Sequence, residues 1–196
     1  MRTIKLCQGK GKLGESHCVM AATSIVAEES FSDEPKCVDD IITTILIHIN
    51  DSLSDNVRDE LLSHLPWVII GTRDTRDVTS AAKTRTKRRL LLYKYMQENY
   101  GYKGSAVVDT VIRFFIEQHN EISDEEIKAL EFLQNKLKGG KEWTRYIELV
   151  KKSKRILDKH KNKVKHLVDF IENKLVPVYT TMPIEPAYNI DKLVCH

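Results

Sequence analysis

Between residues 142 and 175 the apolar positions Val150, Leu157, Val164 and Ile171 recur every seven residues, with Ile147 and Leu167 beside them. A seven-residue apolar repeat cannot be buried by a strand, whose side chains alternate with period two. It fits one stripe of a helix that packs along another helix. The spacing predicts a long helix from about Glu142 to Leu175, with its seam against neighbouring helices or a second copy of the chain through residues 147–171.

The rest of the chain carries helix punctuation more than strand punctuation. Residues 17–29 are small and apolar with Ser16 placed to cap them. In "SDEPKCVDDIITTILIHIN", Ser32 or Asp33 is expected to cap, with Pro35 inside an acidic first turn. The β-branched run Ile41–Ile49 has strand propensity, yet its length, its capping residues and the lack of a partner strand favour a buried helix. Ser54 opens another helix with Val57, Leu61, Leu62 and Leu65 on one face, and Pro66 is expected to stop it. "WVIIGTRDTRD" is the one plausible short strand or loop. A helix over Val78–Tyr100 ended by Gly101 follows, then one from Ser105 to about His119. The capping box "SDEE" at 123–126 opens a helix that ends at Gly139-Gly140. The tail "PVYTTMPIEPAYNIDKLVCH" has three prolines and no helical period, so it is expected to be extended. The resulting expectation is an all-α fold of about seven helices.

A chain of 196 residues can bury a sizeable core. No apolar run reaches the roughly 18 residues of a membrane span, and "MRTIKLCQGKGKLGES" lacks a signal-peptide core, so a cytoplasmic location is expected. Cys7, Cys18, Cys37 and Cys195 form no C-x-x-C pair and read as free thiols. Neither a metal nor a cofactor is expected. Charge is uneven: residues 1–80 hold 8 basic and 13 acidic side chains, residues 81–196 hold 23 and 15. An acidic N-terminal half (1–80) and a basic C-terminal half (81–196) are expected to abut as one compact unit, and the basic half to suit an anionic partner.

Three stretches carry candidate chemistry. In "GESHCVMAATSIVAEE", His17 and Cys18 are adjacent, so on a helix their side chains point about 100° apart and His17 is a poor base for Cys18. Placement in a first helical turn would favour the Cys18 thiolate, but a buried structural cysteine is the commoner reading. The preceding "GKGKLG" has the glycines and lysines of a phosphate loop without the P-loop pattern. Asn50, Asp51 and Arg58, with Arg73, could line a polar pocket holding an anion; helix-end Asp and Asn more often serve as caps. "KTRTKRRLLLYKYMQENYGYKG" places Lys83, Arg85, Lys87, Arg88 and Arg89 within seven residues, followed by Tyr93, Tyr95, Tyr100 and Tyr102. Basic groups neutralise phosphates and tyrosines stack on bases, although a helix would spread these charges around its circumference. Residues 136–165 add twelve Lys/Arg against Glu142, Glu148 and Asp158.

Over roughly residues 14–76 the chain resembles an uncharacterised family of bacterial and phage helical proteins. The likeness rests on C-x-M (Cys18, Met20), D-x-P-x-C (Asp33, Pro35, Cys37), N-D-x-L-x-D-x-x-R (Asn50, Asp51, Leu53, Asp55, Arg58) and G-T-R (Gly71, Thr72, Arg73). The glutamate expected after the methionine is Ala21 here. The resemblance marks the N-terminal half as a unit and implies no chemistry.

Three functions follow as expectations. The first is a non-enzymatic protein binding nucleic acid, a nucleotide-like ligand or an acidic protein through Lys83–Arg89 and the last helix. The second is a cysteine-dependent enzyme using Cys18 with the polar group around Asn50–Arg58. The third is a structural homodimer through the last helix.

Overall fold

The computed structural model of the chain describes residues 4–13, 15–101, 103, 107, 108, 111 and 158–181. Among them the regular elements are helices, and the only β-type pairing is a pair of isolated bridges from His17 to Leu6 and Gly11. The helix expected over Ser105–His119 is represented by helical Val107, Val108 and Val111. The capping box at 123–126, the start of the last helix with Ile147, Val150 and Leu157, and the tail beyond 181 lie outside the described residues.

Helix α1 (Val19–Val26) lies at the centre, packed on α2 (Asp40–Ser52) and α4 (Leu65–Val68). Seven of its eight residues are buried. Small side chains permit that close approach, and the hydroxyls of Thr23 and Ser24 are satisfied by the carbonyls of Val19 (2.7 Å) and Ala21 (2.8 Å). The helix is shorter than the expected 17–29, and its cap is Cys18, not Ser16. The Cys18 Sγ accepts from the Ala21 amide at 3.3 Å, while Ser16 is taken into a loop that receives the Lys12 amide. After Ala27 the chain leaves the helix through Glu28, at φ 57°.

Helix α2 starts later than its sequence suggested. Asp39 is the cap, its Oδ1 accepting from the Ile41 amide at 3.0 Å. Ser32 instead closes a local turn by accepting from the Glu34 amide, and Pro35 stands in the loop before the helix. Ile41, Ile42, Ile45, Leu46 and Ile49 form the buried stripe, so the β-branched run is helical. Helix α3 (Asp55–Leu62) begins after Ser54 as its sequence indicates and buries Arg58, Leu61 and Leu62.

Pro66 does not end this region. It occupies the first turn of α4, where a missing N–H is harmless, and so restarts the helix. "WVIIGTRDTRD" forms no strand: Ile69 and Ile70 enter the core and Gly71 turns the chain at φ 75°. Helix α5 (Val78–Tyr100) has both expected ends. Asp77 accepts from the Ser80 amide at 2.9 Å, and Gly101, left-handed at φ 67°, closes the C-terminus.

Residues 158–170 are α-helical, followed by a π turn over Ile171–Leu175 and a 3-10 turn over Val176–Val178. Pro177 has no N–H with which to continue the ladder, and the helix unwinds there. Both turns pack on α5. The seam residues Val164, Leu167 and Ile171 are completely buried in the same core as Ile42, Leu62 and Leu92. No helix of the described residues is long and apolar enough to cross a membrane.

Candidate functional site

The first candidate cluster converges in space, but on itself. Asn50, fully buried near the end of α2, accepts from the Val19 amide (3.1 Å) and donates to the Cys7 carbonyl (2.9 Å) and to Asp51 Oδ1 (3.1 Å). Arg58, equally buried, donates from Nε to the Asn50 carbonyl (2.8 Å), from Nη1 to Asp55 (2.6 Å) and from Nη2 to the Leu53 carbonyl. A helix leaves its last carbonyls without partners, and the Arg58 fork takes them. Asp51 Oδ1 also receives the Gly9 amide at 2.8 Å, which ties the glycine–lysine loop to α2.

Cys18 adjoins this network, yet burial pushes its thiol up, which outweighs the lowering by the Ala21 and Met20 amides. Cys18 is the cap of the helix and not a residue of its first turn; the terminal amides do act on its sulfur, but burial wins and the expected thiolate is not favoured. His17 beside it is buried, with neither ring nitrogen hydrogen-bonded, against the edge of Phe31 at 5.6 Å. Among the described residues no three of His, Cys, Asp and Glu are grouped as metal ligands would be.

Arg73 is elsewhere. It donates to the Val38 carbonyl at 3.0 Å and to Asp40, on the rim of a small pocket of about 170 Å³ that Cys37, Gly71 and Thr181 also line. Burial and the nearby Glu29 push the Cys37 thiol up to about 12. A larger, open groove of about 480 Å³ runs past Ile4, Lys5, Asp59, Glu60 and Ser63 and contains none of the expected residues.

The basic segment divides sharply. Arg88 is wholly buried and is not a surface contact at all. Its Nε donates to the Leu175 carbonyl (3.0 Å) and one Nη to the Tyr179 carbonyl (2.9 Å). The other Nη stands 2.8 Å from Asp39 Oδ2, close enough for an ion pair but off the line of a hydrogen bond. Arg85 is exposed and pairs with Asp40 at 3.2 Å. Lys83, Lys87 and Arg89 are exposed and, among the described residues, enter no ion pair.

Lys94, which was not singled out in the sequence, joins them. At about 100° per residue, Lys83, Lys87, Leu90 and Lys94 fall within roughly 60° of one another, a line along the outer face of α5. Leu90, 51% exposed, sits in its middle. The i, i+4, i+7, i+11 spacing was the signal for this line, hidden by the louder cluster Lys87-Arg88-Arg89. From Val78 to Gln97 the chain has no acidic residue. Tyr95 stands apart from this face: it is buried, stacked on Phe170 at 4.4 Å and edge-on to Tyr100 at 5.9 Å, while Tyr93 is half-buried against the core.

Among the described residues, Asp39–Arg88, Asp40–Arg85 and Glu60–Lys161 (2.6 Å) set an acid of the first half against a base of the second, and His64–Glu172 pairs the halves in the opposite sense. Comparison of the chain with protein-family models, with curated proteins and with solved structures finds no match. What the site can do therefore rests on its own geometry.

Proposed function

We propose that the protein is a non-enzymatic binding module that takes an anionic polymer along the outer face of α5. The observation that carries this reading is the line Lys83, Lys87 and Lys94, exposed and, among the described residues, in no ion pair, on a helix with no acidic side chain for twenty residues. Lysines spaced at one or two turns repel one another weakly. A polyanion relieves that repulsion and releases its own condensed counterions. Lys159 and Lys165, exposed on the C-terminal helical segment, add to the positive surface. Burial and the neighbouring Lys159 hold the Lys163 ammonium below the usual lysine range.

The cysteine-enzyme reading finds less support, since the polar groups of Asn50 and Arg58 beside Cys18 are taken up by hydrogen bonds within the chain. For the homodimer reading, the described seam residues already have their apolar surface inside the chain. Retention on immobilised heparin tests the proposal. The full chain should elute at markedly higher salt than the variant Lys83→Gln/Lys87→Gln/Lys94→Gln, with both proteins melting at the same temperature. Coincident elution of the two in dilute buffer would sink it.

A further inference from the structure

Resting on that reading, we infer that the polymer is a nucleic-acid duplex, held through its phosphates without discrimination of sequence. The line on α5 offers lysines alone, each a compact point charge. Base edges are read by bidentate groups, above all arginine forks and side-chain amides; the line between Lys83 and Lys94 has neither, and the one amide on this face, Gln97, stands beyond its end. Arg85 is engaged by Asp40 and Arg88 is buried on Asp39. Arg89, exposed and without an ion pair among the described residues, projects about a third of a turn away from the line. Leu90 occupies the centre, where a reading side chain would be needed.

The same face disfavours a single strand. Proteins that hold single strands combine a basic track with aromatic platforms for the bases. Here no ring of α5 stands on the line: Tyr93, the nearest, is half-buried and packs against the core, and Tyr95 is stacked on Phe170 inside it. A duplex needs no platform. Lys83 and Lys94 are eleven residues apart, about 16 Å along the axis. Over that length B-form DNA carries about ten phosphates on its two strands, a dense and regular set of partners for three lysines. Both partners are stiff rods, and docking costs neither one its flexibility. An acidic polypeptide has a lower and less regular charge density.

Fluorescence anisotropy of the full chain with labelled 20-base-pair DNA duplexes of two unrelated sequences decides the matter. Parallel arms use an RNA duplex, one of the single strands, and polyglutamate. The two DNA duplexes should bind within about twofold of each other, with a log–log salt slope near −2.7 for three neutralised phosphates. The single strand and polyglutamate should bind several-fold more weakly. Lys83→Gln/Lys87→Gln/Lys94→Gln should lose at least about tenfold and most of that slope. The RNA arm identifies which duplex is preferred; either preference supports the same chemistry. A tenfold sequence preference, or tighter binding of the single strand or of polyglutamate, overturns the duplex inference while heparin retention leaves the polyanion reading standing. Indifference to every polyanion overturns both.

Discussion

The buried contact between Asp39 and Arg88 is the most direct place to test this structure, because the surface reading and the interior reading of Arg88 predict opposite results. Burial pulls the Arg88 pKa down, while Asp39 favours the charged guanidinium. Arg88→Met keeps much of the apolar stem but strands the Asp39 carboxylate, whose side chain is 9% exposed, and frees the carbonyls of Leu175 and Tyr179. Breaking a buried pair from one side costs about 3–5 kcal/mol. At 2–4 °C per kcal/mol for a chain of this size, the melting temperature should fall by roughly 6–20 °C. Asp39→Asn removes the charge but retains an N-cap of equal quality for α2. In Arg88→Met/Asp39→Asn the stranded carboxylate is gone, so the double variant should be more stable than the sum of the singles implies, by about 1–3 kcal/mol. Urea denaturation of the four proteins, followed by circular dichroism, measures the cycle. Additive singles, or an Arg88→Met cost below about 1 kcal/mol, would refute the buried clamp. Heparin retention of folded Arg88→Met should be unchanged, since a side chain enclosed by Asp39, Leu175 and Tyr179 contributes no surface charge.

Asn50→Ala should destabilise by about 2–4 kcal/mol in the same assay, since the Val19 amide and the Cys7 carbonyl both lose their partner in a buried place. Asn50→Asp keeps the acceptor for Val19 but sets an oxygen against the Cys7 carbonyl, so it should rescue little; wild-type stability in either variant contradicts the hub. Burial lowers the pKa of His17 below 6.5, so the unfolded chain takes up its proton first as pH falls. That contribution to stability is complete above about pH 6.5 and drains away below it. His17→Leu should flatten the stability–pH curve between about pH 7 and pH 5 relative to the parent, and parallel curves would remove His17 as the cause. Iodoacetamide at neutral pH, followed by peptide mass spectrometry, should modify half-exposed Cys7 well before Cys18 and Cys37, whose thiols are pushed up. Preferential alkylation of Cys18 would revive the enzyme reading.

Much of the fold was legible because its signals are local. Ser54 precedes α3 and Gly101 closes α5 where the sequence places them, since a helix end is set within its own turn, although the Ser54 side chain makes no cap hydrogen bond. The β-branched run Ile41–Ile49 is helical because its period matches a buried stripe of α2. The misplacements arose where several residues compete for one role. Ser16, Ser32 and Asp33 are all good caps, and the choice of Cys18 and Asp39 depends on contacts from distant segments: Asn50 on the Val19 amide, Arg88 on the Asp39 carboxylate. Pro66 is ambiguous in the same way, since a proline ends one helix and begins another with equal ease.

The candidate site was legible in outline, but its key distinction lay in residue types that a charge count merges. Arg58, Arg73, Arg76, Arg85 and Arg88 all engage carboxylates or carbonyls of their own chain. Asp74, for example, is held well below the usual carboxylate range by Arg76, with Thr84 also donating to it. The planar fork of arginine fits oxygen pairs, and its weak hydration lets it enter the interior. Lysine is strongly hydrated and stays outside, as Lys83, Lys87 and Lys94 do. Within "KTRTKRR", then, the alternation of Lys and Arg is already a division of labour: Arg88 enters the core to meet Asp39 and Arg85 pairs with Asp40 at the surface, while the lysines face solvent. Arg89 departs from this rule, exposed and without an ion pair among the described residues, and is the residue of the segment whose loss would separate added affinity from the lysine line.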